Sequence, residues 1–243
     1  MTSGYTNSAP QITRGIVLRT IKHTEGRLIV RTCTERFGTR GVVVRAGRKG
    51  TAQAALQPLS RVELVVVASE GRELLSAREV RIERPYMNLP TDPVRRALAL
   101  FMQELLLHVL REEVADQDLF AMLEALMEEL DTGADPAGYP LRAMVALLAY
   151  LGIHPDTGGP DEDVFDLLEG RFRSGAPPHE HCMPAQRGRV FKALLAGSLE
   201  DVGAVVPYDL RQSLLNDLNT YYRLHVPGFG ELRAPGVLHA VLA

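Results

Sequence analysis

Five short runs of strand-forming residues occupy the first 84 residues and limit what this part of the chain can fold into. The runs begin near Ile12, Arg27, Thr39, Arg61 and Glu73, and β-branched residues are frequent in them. Turn sequences such as HTEG at 23–26 and SEGR at 69–72 separate several of the runs. Short strands with glycine-containing turns are typical of small closed barrels. The pattern therefore predicts a five-stranded OB-fold barrel, and an SH3-like barrel is the alternative.

The pattern changes at Pro85. The stretch RPYMNLPTDP contains three prolines, and Thr91 or Asp92 can cap a helix that has Pro93 at its first position. Apolar residues then recur at intervals of three and four, which predicts helices near 94–111, 116–133, 141–151, 185–196 and 208–225. We predict an α+β multidomain chain with a disordered N-terminus (1–11), an OB-fold domain (12–84), a linker (85–92) and an all-α helical domain (93–243).

The composition is that of an ordinary globular protein. No apolar run reaches the roughly 20 residues that cross a bilayer, so no membrane association is expected. The N-terminal sequence MTSGYTNSAPQ has no signal-peptide core. Two isolated cysteines, Cys33 and Cys182, do not make a disulfide framework, which favours a reducing cytoplasm.

Charge is distributed unevenly along the chain. Residues 1–85 carry 15 Lys and Arg against 7 Asp and Glu, a net charge of +8. Residues 86–243 carry 12 against 23, a net charge of −11. A basic front and an acidic back are typical of a protein in which one part contacts nucleic acid and the other does not.

The basic charge is concentrated in the first three predicted strands and the AGRKG loop. A solvated sheet face is the alternative to a binding surface, but only Glu25 and Glu35 oppose these cations. Phe37 is the only aromatic residue in the stretch, so contacts to phosphates are expected rather than base reading. The ten predicted DNA-binding residues are Arg14, Arg19, Lys22, Arg27, Arg31, Arg36, Arg40, Arg45, Arg48 and Lys49.

Motifs for catalysis are absent from the sequence. There is no phosphate loop, no GxGxxG motif opening a helix and no HExxH motif, so no catalytic residue and no cofactor are predicted. His179, His181 and Cys182 are acceptable zinc ligands, but they are crowded and no CxxC pair completes the set. A metal enzyme built on these three residues is the weakest of the functional hypotheses.

Several segments in a fixed order resemble the RecO family of bacterial DNA repair proteins, particularly its branch from Bacteroidetes-like lineages. They are RGIVLRTIKHTEG, PYMNLP, LLAYLGIHP, FDLLEGRF and YYRLHVPGFGELRAPGVLHAVL, and the resemblance covers the chain from about Ile12 onward. It implies a recombination mediator that is not an enzyme and that works in the cytoplasm at the nucleoid. Such a protein binds single- and double-stranded DNA, anneals complementary strands and, with RecR, helps load RecA onto DNA coated by single-strand-binding protein.

The resemblance also implies roles for particular positions. The cations of the barrel correspond to the DNA surface, and the helical domain would receive the acidic C-terminal tail of single-strand-binding protein. Candidate residues for that tail are Arg142, Arg211, Tyr221 and Arg223. Many family members hold zinc with two CxxC pairs after the LGIHP-like segment. This chain lacks them, so no metal is expected. The competing hypothesis is an OB-fold module that binds RNA or docks a protein.

Overall fold

A computed structural model describes residues 9–24, 26–45, 54–67, 74–111, 114–199 and 201–234. The chain divides into two compact units, one formed by residues 1–87 with 110–127 and the other by residues 88–109 with 128–243. The predicted disorder of residues 1–11 falls mostly outside the described residues. Among those described, no helix combines the length and apolar character needed to cross a membrane.

The first unit contains a closed five-stranded barrel. The strand order is β1-β2-β3-β5-β4, and β4 pairs back onto β1. All neighbours are antiparallel except β3 and β5, which run parallel. This closure confirms the predicted OB-type barrel. The strands are β1 (Gln11–Thr24), β2 (Arg27–Thr34), β3 (Gly38–Arg45), β4 (Arg61–Val67) and β5 (Leu75–Arg84).

Alternation of side chains along the strands builds the barrel core. Because successive residues point to opposite faces, every second residue of each strand enters the interior. Val30 on β2 and Val42 on β3 are fully buried there and lie opposite each other. The core is completed by Val17, Val44, Ala55, Leu56, Val62, Leu64, Val66 and Leu75.

The β2–β3 turn shows how the sequence sets the strand register. Gly38 has a φ of +68°, which an L side chain rarely adopts. The Thr34 hydroxyl donates to the Gly38 carbonyl at 2.8 Å and accepts from the Phe37 N–H at 3.1 Å. These local bonds close the hairpin and bring Thr34 opposite Gly38. The register of the outer face is therefore determined at this turn.

The first two helices begin at polar caps. Asp92 accepts from the Val94 N–H at 2.8 Å, and Pro93 is the first helical residue. Asp116 likewise accepts from the Leu119 N–H at 2.9 Å. Both bonds satisfy donors that a helix start leaves open. The helices are α1 (Pro93–Val109), α2 (Gln117–Thr132), α3 (Tyr139–Tyr150), α4 (Ala185–Leu195), α5 (Val202–Val205) and α6 (Tyr208–His225).

The second unit is mainly helical, with α3 packed against α1, α4 and α6. It also holds a small antiparallel sheet that the all-α prediction did not include: β6 (Val164–Asp166), β7 (Arg171–Arg173) and β8 (Cys182–Met183). Strands of two or three residues are too short to show period-two alternation. The sheet is stabilised by aromatic packing, since the Phe165 ring lies 4.8 to 5.3 Å from the rings of Phe172, Phe191 and Tyr221.

Candidate nucleic-acid interface

The outer face of β1, β2 and β3 carries two cationic rows with an apolar row between them. In the first cationic row Arg19, Arg31 and Gly41 lie side by side. In the second, Arg27 lies opposite Arg45. The apolar row consists of Ile21, Ile29 and Val43. Successive rows are two residues apart along a strand, or about 7 Å. The strand registers thus bring four of the ten predicted cations onto one face.

Among the described residues, the cations of this face have no acidic partner. Within the described part of the chain, Arg19, Arg27 and Arg45 are exposed and form no ion pair. Arg31 is held in place because its guanidinium donates to the Leu110 carbonyl at 2.6 Å. Its buried Nε finds no hydrogen-bond partner in the part of the chain that the structure describes. Two directly opposed Arg–Arg pairs destabilise a sheet, so this arrangement suits the binding of an anion.

A groove runs over the apolar row. Its volume is about 320 Å³, and it is lined by Arg19, Ile21, Ile29, Arg31, Gly41 and Leu74. Ile21 and Leu74 remain 45% and 38% exposed. A Cβ on Gly41 would meet the end of the Leu74 side chain, so glycine at this position leaves room for Leu74 to lie over the strand in its present rotamer. The face therefore offers apolar contact area between its positive charges.

Three other predicted cations lie near the β2–β3 turn and make contacts within the unit. Arg14 forms two hydrogen bonds of 3.0 and 2.7 Å with the Glu35 carboxylate. This pairing raises the pKa of Arg14 and lowers that of Glu35. Arg36 and Arg40 donate to the carbonyls of Ile12 and Phe37, at 3.3 and 3.2 Å. Arg14 therefore has a structural role, which is to stabilise the β2–β3 turn.

The remaining predicted cations do not join the two cationic rows. Lys22 lies opposite Leu28 and therefore points to the other side of β1 from Ile21. Arg48 and Lys49 lie outside the described residues.

Sequence reasoning missed Arg78 and Arg81 on β5, which line a second hollow of about 310 Å³ together with Arg45. Glu79 and Glu83 lie beside these arginines in the sequence and offset their charge, so the net charge of the segment does not reveal them.

Two of the four candidates for the protein-tail site have internal partners. The Arg142 guanidinium donates to Glu129 at 2.6 Å and to the carboxylate and carbonyl of Asp135 at 2.6 and 2.8 Å. Arg211 donates to the carbonyls of Gly203 and Val206, at 2.9 and 2.5 Å. Arg142 links α3 to α2 and to the segment that follows α2, and Arg211 links α6 to α5 and to Val206. This structural role leaves few donors for a partner.

Tyr221 and Arg223 differ in exposure. Tyr221 is 2% exposed, and its hydroxyl donates to the Ile153 carbonyl at 2.7 Å. Burial raises the pKa of this phenol to about 12. Arg223 is exposed on α6. Of the four candidates, Arg223 is the one whose charge is available to an acidic peptide.

The residues considered for zinc do not assemble into a ligand set. His179 Nε2 lies 3.4 Å from the buried carboxylate of Asp166, and the His179 and His181 rings are 6.3 Å apart. Cys182 pairs with Asp166 across β8 and β6. Among the described residues no three His, Cys, Asp or Glu side chains are placed to hold a metal ion.

Comparison with known proteins covers almost the whole chain. Residues 10–86 match the family description "Recombination protein O N terminal", and residues 90–232 match "Recombination protein O C terminal". DNA repair protein RecO of Bacteroides fragilis is 31% identical over 236 residues, which are 94% of this chain and 97% of the relative. The RecO proteins of Christiangramia forsetii and Flavobacterium psychrophilum are 29% and 28% identical, over 94% and 95% of this chain and 98% of each relative. The chain therefore belongs to the RecO family of DNA repair proteins.

Proposed function

We propose that this protein acts in DNA repair by binding DNA on the outer face of β1, β2 and β3. One observation carries the proposal. Arg19 and Arg31, and likewise Arg27 and Arg45, are directly opposed pairs of positive charge on that face. A row of phosphates supplies the negative charge that such pairs lack. The name DNA repair protein RecO, which the relatives carry, agrees with a DNA ligand.

The mechanism follows from charge neutralisation. Two complementary strands repel each other through their phosphates, and cations that bind both strands lower that repulsion. The barrel would bind single- and double-stranded DNA and promote annealing by this route. Because charge neutralisation breaks no covalent bond, we propose a binding protein rather than an enzyme, acting on DNA at the nucleoid.

Protein partners complete the proposal. We propose that the protein works with RecR to load RecA onto DNA coated by single-strand-binding protein, whose acidic tail would contact the second unit. The internal contacts of Arg142 and Arg211 make exposed Arg223 the first residue to test for that tail. Substitution Arg223→Glu should weaken binding of a peptide with the tail sequence and leave DNA binding unchanged. If the variant and the unmodified protein bind the peptide equally well, Arg223 is not part of the tail-binding site.

The DNA-binding proposal is tested by fluorescence anisotropy of a labelled single-stranded oligonucleotide over a salt series. Each phosphate contact to a single strand contributes a slope of about −0.7 to the logarithm of affinity against the logarithm of salt concentration. Arg27→Gln combined with Arg45→Gln should weaken binding and make the slope shallower by roughly 1.4. Annealing with the complementary strand should slow in parallel. Failure of the unmodified protein to bind DNA at low salt would overturn the proposal.

A further inference from the structure

The apolar row between the two cationic rows is unexplained by phosphate binding. Phosphates need only cations, and an exposed isoleucine beside them contributes nothing to charge neutralisation. Ile21 is nevertheless 45% exposed in the groove, and Leu74 beside it is 38% exposed. Both lie on a face that is otherwise strongly positive. Their position suits a ligand that presents apolar surface and negative charge together.

We infer that Ile21 and Ile29 of this row, with Leu74 beside them, form a seat for unpaired bases, so that single-stranded DNA is bound through its bases as well as its phosphates. The inference rests on the proposed function and adds to it the form of DNA that the groove takes. Every base has an apolar face, and in a single strand that face is accessible. In a duplex the same faces are stacked inside. Ile21, Ile29 and Leu74 would therefore contact single strands and not duplexes.

The geometry of the face fits a strand of nucleotides. Arg27 and Arg31 lie four residues apart on β2, or about 13 Å, with Ile29 midway between them. A chain of nucleotides crossing the strands meets positive charge on both sides of the apolar row. Arg31 is held by the Leu110 carbonyl at 2.6 Å, so part of the surface is ordered before DNA arrives.

The lining of the groove also determines its selectivity. The apolar row carries no hydrogen-bond donor or acceptor on its side chains, so it contacts bases without distinguishing them. The scarcity of aromatic residues in the sequence predicts contact with the DNA backbone alone. The groove adds contact with the bases. Aliphatic side chains from β1, β2 and the residue before β5 replace the missing aromatic platform, and only the fold brings them together.

The test uses the full-length protein with Ile21→Thr and Ile29→Thr combined. Threonine is β-branched and keeps the strand propensity while it removes apolar surface. The matched control is Ile12→Thr, which changes a 57% exposed isoleucine on the same strand outside the groove. Binding is measured with a single-stranded oligonucleotide, an abasic strand of equal length and a duplex. Loss of the base contact should weaken the single strand about five- to tenfold.

Four results are expected together. The double variant loses affinity for the single strand, keeps its affinity for the abasic strand and the duplex, and retains the salt slope of the unmodified protein. The control binds like the unmodified protein.

Equal loss of affinity for all three ligands, or no loss for the single strand, would overturn the base seat, whereas the proposal that the protein binds DNA would stand. Absence of binding to any DNA by the unmodified protein would instead overturn the proposed function and the base seat with it. Retained duplex binding shows that the variant is folded.

Discussion

Arg19 and Arg31 lie directly opposite each other on β1 and β2, two positive charges on one face of the barrel. Like charges in this position destabilise an antiparallel pair. Neither forms an ion pair among the described residues, and the Arg31 guanidinium is held by a neutral carbonyl instead. The barrel therefore keeps, on this face, an electrostatic cost that a bound phosphate would remove. Binding and stability should respond in opposite directions when this charge is reduced.

Arg19→Gln is expected to separate the two effects. The free energy of unfolding should stay the same or rise by up to about 0.5 kcal/mol, because one member of the repelling pair is gone. Affinity for single-stranded DNA should fall, and the salt slope should become shallower by about 0.7. Urea unfolding and anisotropy measure the two quantities. Arg96→Gln, which changes an exposed cation on α1, is the control. A destabilisation above about 1 kcal/mol would show that Arg19 has a structural role instead.

Arg142→Lys is expected to destabilise the protein although the charge is kept. The guanidinium bridges Glu129 and Asp135 with three short hydrogen bonds, and a lysine ammonium cannot reproduce that planar fork. We expect a loss of about 2 kcal/mol in urea unfolding. Arg223→Lys on the exposed surface of α6 should change stability by less than about 0.5 kcal/mol. Equal stabilities for both variants would mean that Arg142 is free to serve a partner.

Asp135→Asn should change how stability depends on pH. Burial opposes ionisation of Asp135, but hydrogen bonds from Arg142 and from the N–H groups of Gly203 and Gly138 outweigh it. The pKa is therefore lowered from 3.8. A lowered folded-state pKa gives stability that is present above the unfolded pKa and is lost as the pH falls through the folded one. The unmodified protein should be more stable than the variant at neutral pH, and the difference should shrink below about pH 4. A difference independent of pH would contradict this assignment.

Gly188→Ala should destabilise the second unit even though alanine is the better helix former by about 1 kcal/mol. A Cβ at Gly188 in α4 would lie 1.8 Å from the Asp163 carbonyl oxygen, a backbone atom that no side-chain rotation can move. We expect a loss above about 2 kcal/mol in thermal or urea unfolding. Gly175→Ala is the control, since a Cβ there meets no atom within 4 Å. Unchanged stability of the Gly188 variant would show that α4 can shift away from the backbone of Asp163.

Cys33 should resist thiol reagents in the native protein. Burial raises the pKa of its thiol to about 11, so at pH 8 only about one molecule in a thousand carries the reactive thiolate. The residue is also 1% exposed. In a Cys182→Ser variant, a disulfide reagent should label no cysteine until urea is added and one afterwards. Rapid native labelling would show that β2 opens locally.

Local elements followed closely from the sequence. The sequence predicts that the second strand begins near Arg27, and β2 lies at Arg27–Thr34. Of the two predicted caps, Thr91 and Asp92, it is Asp92 that caps α1. In each case the residues that give the prediction lie within a few positions of the element that they predict. The β6–β8 sheet was not predicted because its stabilising contacts come from Phe191 and Tyr221, far along the chain.

The barrel, the helices and the excess of positive charge before residue 85 follow from the amino-acid sequence alone, because they depend on local periodicity, turn residues and composition. Which cations share a face depends on how the strands pair in the folded protein. Arg14 pairs with Glu35, whereas Arg19 joins Arg31 without an acid, although all three arginines look alike in the sequence. The apolar row likewise requires β1, β2 and β3 in register. Strand pairing over long separations sets these neighbours, and no local pattern encodes it.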